Sequence, residues 1–125
     1  MELTKNELEI MDVLWRAEKP LSRNDIITSS GPKSWKDSSI HILLNSLLKK
    51  EAIREAGFVR SGKGYGRTFE PTLTCGQYYS EFFSKSAQRT SVPLIVSALF
   101  QENEISLEDI DELEQLLEEK RRELQ

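Results

Sequence analysis

Cysteine and histidine are almost absent from this sequence, which has one of each, Cys75 and His41, among its 125 residues. A single cysteine cannot close a disulfide within the chain. The lone histidine has no second histidine with which to hold a metal, and the two residues lie in regions that are predicted below to be separate domains. No paired carboxylates suggest a catalytic site. We therefore expect no metal, no cofactor and no enzymatic chemistry.

Long apolar segments are also missing. The longest candidate, VPLIVSALF at residues 92–100, is far shorter than the roughly 20 apolar residues that span a bilayer. No positively charged segment followed by an apolar run opens the chain, as a secretory signal would. The sequence thus predicts a cytoplasmic protein that does not enter the membrane. A hydrophobic content of 38% is enough for a modest core in one or two small domains.

Charge is divided unevenly along the chain, although the net charge is only −4. Residues 1–71 carry 12 Lys or Arg and 10 Asp or Glu, a net charge of +2, whereas residues 72–125 carry 5 and 11, a net charge of −6. Within the first part, residues 31–67 carry 8 basic and 3 acidic groups, a net charge of +5. A concentrated positive field of this kind is typical of a surface that binds phosphates.

The first part of the chain contains the pattern of a helix-turn-helix. A helix is expected from the capping residue Thr4 to about residue 16, and a short one begins after Ser22. Ser34 and Asp37 are predicted to open a third helix that runs to about Glu51. Two short helices joined by a tight turn, the second longer and basic at its end, form a helix-turn-helix.

A β-hairpin is predicted to follow the third helix. Apolar residues flank the glycine-rich turn SGKGYG, which lacks the spacing of a nucleotide-binding loop and has no helix after it. The hairpin carries Arg60, Lys63 and Arg67 at its basic tip. We interpret this hairpin as the wing of a winged helix-turn-helix domain over residues 1–72, with its tip contacting DNA.

Three further helices are expected after residue 72, opened by Thr74, Ser91 and Ser106. The fold class is therefore mainly α (α+β), with an all-helical domain at residues 73–125. The last helix is acidic on one side and leucine-rich on the other. Its apolar side, together with apolar residues of the preceding helices, would remain uncovered in a monomer and predicts a homodimer interface. The expected interface residues are Phe82, Phe83, Leu94, Leu99, Ile110, Leu113, Leu116 and Leu117.

The third helix has two distinct sides at about 100° per residue. One side is apolar and must face the core. The other is polar and suited to phosphates and base edges: Asn reads adenine, and an exposed Ile contacts a thymine methyl group. The bidentate contact between arginine and guanine is missing. The predicted DNA contacts on and before this helix are Lys36, Ser38, Ser39, His41, Ile42, Asn45, Ser46, Lys49 and Lys50.

Several segments in this order resemble the penicillinase-repressor family of bacterial regulators, the BlaI/MecI/CopY type. They are LTKNELEIMDVLW, PLSRNDI, SSIHILLNSLLKKEAI, the hairpin ending FEP, and PLIVSALFQENEISLEDIDELEQLL, and together they cover nearly the whole chain. The resemblance implies a winged helix followed by a dimerisation region. It also implies a dimeric transcriptional repressor that occupies an inverted-repeat operator on double-stranded DNA and leaves when a signal arrives.

The chain departs from the family at positions that the resemblance places next to DNA. The family usually has Thr at the position of Ser39, Lys or Arg at His41, Thr at Ile42 and Arg at Ser46. The operator sequence therefore does not follow from the resemblance. His41 itself has three interpretations that the sequence leaves open: a DNA contact, a pH-dependent switch, or a surface residue.

The releasing signal is also left open by the sequence. In members that a membrane sensor protease inactivates, cleavage falls at an Asn–Phe pair, which would align near Ala98 and Leu99 in this chain. Copper-responsive members use several C-terminal cysteines, and this chain has none after Cys75. A sensor protease and a small-molecule inducer both remain candidate partners.

A second function class competes with the repressor. A winged helix that has lost specific DNA binding could act as a protein–protein module, for example as an antagonist that forms mixed dimers. The polar side of the third helix lacks an arginine that could bind guanine, which favours this alternative. The basic charge on the helix end and the wing favours DNA.

Overall fold

The computed structural model describes residues 1–61 and 64–125, and it confirms a mainly helical α+β winged helix. The chain divides into two units, Met1–Glu81 and Phe82–Gln125. In chain order the elements are α1 (Lys5–Ala17), β1 (Leu21–Ser22), α2 (Arg23–Ser29), a short 3-10 helix (Asp37–Ser39), α3 (Ile40–Lys49), β2 (Ile53–Ser61), β3 (Gly64–Pro71), α4 (Cys75–Ala87), α5 (Val92–Glu102) and α6 (Leu107–Leu124).

Reciprocal side-chain bonds fix the starts of several helices where the sequence predicts them. At α1 the Thr4 hydroxyl accepts from the Glu7 backbone N–H at 3.2 Å, and the Glu7 carboxylate accepts from the Thr4 N–H at 2.8 Å. Ser22 and Ser106 form the same capping box at the starts of α2 and α6. These bonds satisfy backbone donors that a helix leaves without partners in its first turn.

The third helix begins later than the sequence predicts. A helix opening at Ser34 was expected, but α3 starts at Ile40, after the short 3-10 helix. The backbone N–H of Ser34 donates instead to Glu9 Oε1 of α1 at 2.9 Å, and the next side chain, Trp35, is buried with 5% exposure. This segment is therefore held against α1 as a packed loop.

The sheet has three antiparallel strands in the order β1-β3-β2. Strands β2 and β3 form the long hairpin of the wing, paired from Ile53↔Pro71 to Ser61↔Gly64. A bulge interrupts the pairing between Glu55 and Gly57, and Gly57 adopts a φ of 146°, which favours glycine.

The core of the first unit lies between α1, α2, α3 and the sheet. The apolar side of α3 faces this core as predicted, with Ile40, Leu44 and Leu47 buried. Burial of each such side chain contributes roughly 1.5–3 kcal/mol to folding. Because these residues fix the rotation of α3 about its axis, its opposite side is held toward solvent. The buried apolar cluster comprises Ile10, Met11, Val13, Leu14, Leu21, Ile26, Trp35, Ile40, Leu44, Leu47, Ala52, Ile53 and Phe69.

The boundary between the units falls within α4, after Glu81. The start of α4 belongs to the first unit: Trp15 Nε1 donates to the Leu73 carbonyl at 2.9 Å, and the rings of Trp15 and Tyr78 lie 5.9 Å apart. The boundary expected after residue 72, between a DNA-binding domain and a dimerisation domain, stays a prediction. In the second unit, α5 and α6 contain no buried residue. Over the described ranges, no helix combines the length and hydropathy that crossing a membrane requires.

Candidate DNA-binding surface

The outer side of α3 presents most of the side chains that the sequence assigns to DNA. Ile42 is the most conspicuous of them, because a large apolar side chain 73% exposed on a helix is otherwise costly to leave in water. The remaining predicted contacts differ in exposure: Lys36, Ser38, His41, Asn45 and Lys49 are exposed, whereas Ser39, Ser46 and Lys50 are half-buried.

A cleft of about 240 Å³ separates α3 from the wing. It brings together three predicted contacts, His41, Asn45 and Arg67, which come from different parts of the sequence. Its walls also contain residues that the sequence reasoning did not single out. The lining residues are Ser22, Arg23, Asn24, His41, Leu44, Asn45, Tyr65, Gly66, Arg67 and Phe69.

Arg23, the first residue of α2, is the most important addition. Its guanidinium Nη1 lies within hydrogen-bonding distance of His41 Nε2, so the imidazole nitrogen accepts and the arginine is held beside α3. Within residues 1–61 and 64–125, Arg23 makes no ion pair with a carboxylate. Its charge is thus available to an anion such as a phosphate. The sequence shows an arginine after a cap, but only the packing of α2 on α3 brings it to this cleft.

The two described wing arginines that were predicted to contact DNA have different surroundings. Arg67 pairs with Glu55 on the adjacent strand, and its guanidinium lies 5.4 Å from the centre of the Phe69 ring. Arg60 is exposed, and no ion pair to it occurs in the described part of the chain. Lys63, also predicted to contact DNA, lies outside the described residues.

Two predicted DNA contacts, Ser46 of α3 and Lys50 directly after it, bind the protein's own buried Glu7 carboxylate. Ser46 Oγ donates to Glu7 Oε2 at 2.7 Å, and Lys50 Nζ donates to Glu7 Oε1 at 2.6 Å and to the Glu2 carbonyl at 2.9 Å. Glu7 is only 1% exposed. The charge of Lys50 is therefore compensated within the fold, and contact of Ser46 or Lys50 with DNA stays a prediction.

The surroundings of Glu7 favour its ionised form. Burial of the carboxyl by itself raises its pKa, but the hydrogen bonds from Lys50, from the Thr4 backbone and from Ser46 outweigh burial. As a result, the pKa of Glu7 falls from 4.5 to about 2. The carboxylate thus ties the start of α1 to the end of α3 through charge-assisted bonds, which are stronger than neutral ones.

The low pKa of Glu7 predicts that the fold loses stability in acid. Because the folded-state pKa lies below that of the unfolded chain, the ionised carboxylate stabilises the fold fully above about pH 4.5. This contribution, about 3 kcal/mol, is lost as the pH falls toward 2. Urea unfolding of the wild type and of Glu7→Gln at one protein concentration, from pH 7 to pH 2.5, should show their difference in stability narrowing below pH 4.5. A difference that stays constant with pH would contradict this role.

The residues predicted to form a dimer interface belong to α4, α5 and α6. Seven of the eight are exposed, from Phe83 at 38% to Leu117 at 67% exposure, and Leu113 is half-buried. On α6, Ile110, Leu113, Leu117 and Leu124 recur at spacings of three, four and seven residues, which places them along one side of the helix.

Comparison with known proteins gives one family match over nearly the whole chain. The family model described as "Penicillinase repressor" matches residues 3–119. The "Uncharacterized 16.5 kDa protein in ptsI 3'region" of Latilactobacillus sakei is 30% identical over 123 residues, which cover 93% of this chain and 78% of that protein.

Similar solved structures include two regulators. The adhesin competence repressor AdcR of Streptococcus pyogenes is 15% identical with a TM-score of 0.47, covering 98% of this chain and 81% of its own. MepR, a transcription regulator of the Staphylococcus aureus multidrug efflux pump MepA, is 16% identical with a TM-score of 0.41, covering 98% and 79%.

Proposed function

Since the chain belongs to the penicillinase repressor family, it is a DNA-binding transcriptional regulator and not an enzyme, and we propose that it represses transcription as a homodimer on an inverted-repeat operator. Each protomer places α3 in a major groove and the wing beside it. Two-fold symmetry then requires half-sites whose centres are separated by whole helical turns of roughly 10 base pairs. Release from the operator by an inducing signal is part of the same proposal.

The observation that carries this proposal is the solvent-facing side of α3, which the buried Ile40, Leu44 and Leu47 hold outward. An amide at Asn45 and the apolar side chain of Ile42 are exposed there and suited to base edges. Lys49 on the helix and Arg23 in the cleft add positive charge suited to the phosphates.

Dimerisation is supported by the exposed apolar side of the second unit. Within the described residues, neither α5 nor α6 has a buried side chain, yet both carry large apolar residues. Leaving them in water costs roughly 25 cal/mol for each Å² of apolar surface, which a second copy of the same helices removes. A symmetric partner also supplies the second copy of α3 that binding to an inverted repeat requires.

The competing function is a protein–protein module without specific DNA binding. It is favoured by the engagement of Ser46 and Lys50 with Glu7, because this removes two of the groups expected at the DNA surface. Selection of duplexes from a randomised library, followed by gel shifts with fragments of the protein's own promoter, separates the two functions. A repressor should enrich duplexes that contain an inverted repeat, and it shifts its own promoter if that promoter contains the repeat. A protein–protein module should enrich no duplex.

Substitution of two exposed α3 residues tests how the helix reads DNA. Lys49→Ala should weaken binding to selected and scrambled duplexes alike, and reduce the slope of log affinity against log salt by about one, because it removes a phosphate contact. Asn45→Ala should cost about 1–3 kcal/mol on the selected duplex only, because it removes a base contact. Fluorescence anisotropy on both duplexes measures these effects. Equal losses for Asn45→Ala on both would remove it as a base-reading residue.

A further inference from the structure

One side of the wing combines arginines with exposed aromatic rings. In the β2–β3 register, Phe58 lies opposite Arg67 and Arg60 lies opposite Tyr65. Directly opposed residues of antiparallel strands share a face, as do alternate residues of one strand. Phe58, Arg60, Tyr65 and Arg67 therefore project from the same side of the hairpin.

This side of the hairpin is also the one that faces the core. Phe69 is two residues after Arg67 on β3, is 2% exposed and belongs to the core cluster. Farther toward the tip the same side emerges from the domain, since Phe58 is 70% and Tyr65 77% exposed. The wing thus leaves two large aromatic residues exposed, although uncovered aromatic surface is costly in water.

The surroundings of these rings indicate what covers them. Tyr65 lines the cleft together with His41 and Asn45, so the aromatic side of the wing adjoins the solvent-facing side of α3. Arg60 on the wing and Arg23 in the cleft have no carboxylate partner within the described ranges. An apolar protein surface would leave these two charges without counter-ions, whereas DNA offers both phosphates and flat apolar surfaces of bases and sugars.

We propose that Phe58 and Tyr65 form an apolar wedge that presses into the minor groove next to the major groove occupied by α3, and that opens the base step it contacts. This inference rests on the proposed function and adds a means of sequence selection. Apolar side chains inserted at a base step unstack it and bend the duplex, and flexible pyrimidine–purine steps deform most easily. The wing would therefore select deformable TA steps without hydrogen bonds to bases.

Two duplexes of about 30 base pairs test the wedge, one of alternating T and A, which is rich in TA steps, and one a continuous A-tract, which is stiff. Wild-type protein should bind the alternating duplex about tenfold more tightly. The double variant Phe58→Ala/Tyr65→Ala should lose this preference while keeping the wild-type salt dependence, because the arginines remain. Permanganate oxidation should show unstacked thymines with the wild type and not with the double variant.

Matched controls separate the wedge from general loss of contact. Tyr65→Phe keeps the ring and should keep the preference for the alternating duplex. Lys49→Ala removes an exposed phosphate contact from α3 and should lower affinity while leaving the ratio between the two duplexes unchanged. Because these side chains are largely exposed, the thermal unfolding midpoints should match that of the wild type.

The outcomes distinguish the wedge from the repressor function. Binding of the wild type to both duplexes with equal affinity, or a double variant that retains the preference, overturns the wedge and leaves the repressor proposal in place. Failure of the wild type to bind either duplex or any duplex from the library overturns both.

Discussion

Replacing Lys50 with methionine should destabilise the fold by about 3 kcal/mol, whereas the same replacement of its neighbour Lys49 should change the free energy of unfolding by less than about 0.5 kcal/mol. Lys50 is the cationic partner of the buried Glu7 carboxylate. After its removal, the hydrogen bonds from Ser46 and the Thr4 backbone still reach that charge, but the ion pair is lost. The cost lies at the lower end for a broken buried pair because the Lys50 side chain is 34% exposed to screening water.

In DNA binding, Lys49→Met should have the larger effect and Lys50→Met the smaller one. Lys49 is exposed and makes no ion pair within residues 1–61 and 64–125, so its charge is free for phosphates. Lys49→Met should therefore weaken binding about tenfold and flatten its salt dependence. Lys50→Met, measured where the protein remains folded, should retain the salt dependence of the wild type. Urea titrations and fluorescence anisotropy on the same samples give both quantities.

A double-mutant cycle shows whether the loss comes from the pair itself. Glu7→Gln and Lys50→Met should each destabilise the fold, but Glu7→Gln/Lys50→Met should cost less than the sum, because neither substitution then leaves an uncompensated buried charge. Additive losses would mean that Lys50 acts through packing of its aliphatic chain instead. In that case the pH dependence expected for Glu7 should survive in Lys50→Met.

The helix starts could be predicted from the sequence because their causes are local. Thr4 and Glu7, or Ser106 and Asp109, lie three residues apart, and this spacing alone brings the hydroxyl and the carboxylate to each other's backbone N–H. The apolar side of α3 could be predicted for the same reason, since helical periodicity places Ile40, Leu44 and Leu47 together.

The errors and omissions come from contacts between distant parts of the chain. Ser34 is a residue type that commonly caps helices, but its backbone N–H donates to the carboxylate of Glu9 on α1. The helix α3 therefore starts only at Ile40. The ion pair of Lys50 was not predicted either, because only folding brings Glu7 beside it. A charged residue in a capping box is normally solvent-exposed, and nothing in its local sequence marks Glu7 as buried.

The wing shows a similar limit. Alternation within the hairpin can be recognised from the sequence, but the side that Phe58 and Tyr65 share depends on the register across the turn and on the bulge near Gly57. A shift of one residue would reverse the face of every side chain on one strand. Arg23 could not be assigned to the candidate surface from the sequence for a comparable reason, because only the packing of α2 places it beside His41.

Leu117→Asp should convert the proposed dimer into a monomer and lower the affinity for an inverted repeat by about 100-fold or more. Leu117 lies with Ile110, Leu113 and Leu124 along one side of α6. In a two-fold interface each substitution occurs twice, so two carboxylates are buried at a cost of about 2 kcal/mol or more each. The acidic residues already present on α6 add repulsion. A monomer binds each half-site separately and loses the gain from linkage.

Gln115→Asp is the matched control, because it adds the same charge about 200° around α6 from Leu117. It should remain a dimer by light scattering and bind the inverted repeat like the wild type. Since Leu117 is 67% exposed, Leu117→Asp leaves the core of the first unit intact, and its affinity for an isolated half-site should equal that of the wild type. A monomeric Leu117→Asp protein that still bound the full repeat as tightly as the wild type would show that the two half-sites are occupied independently.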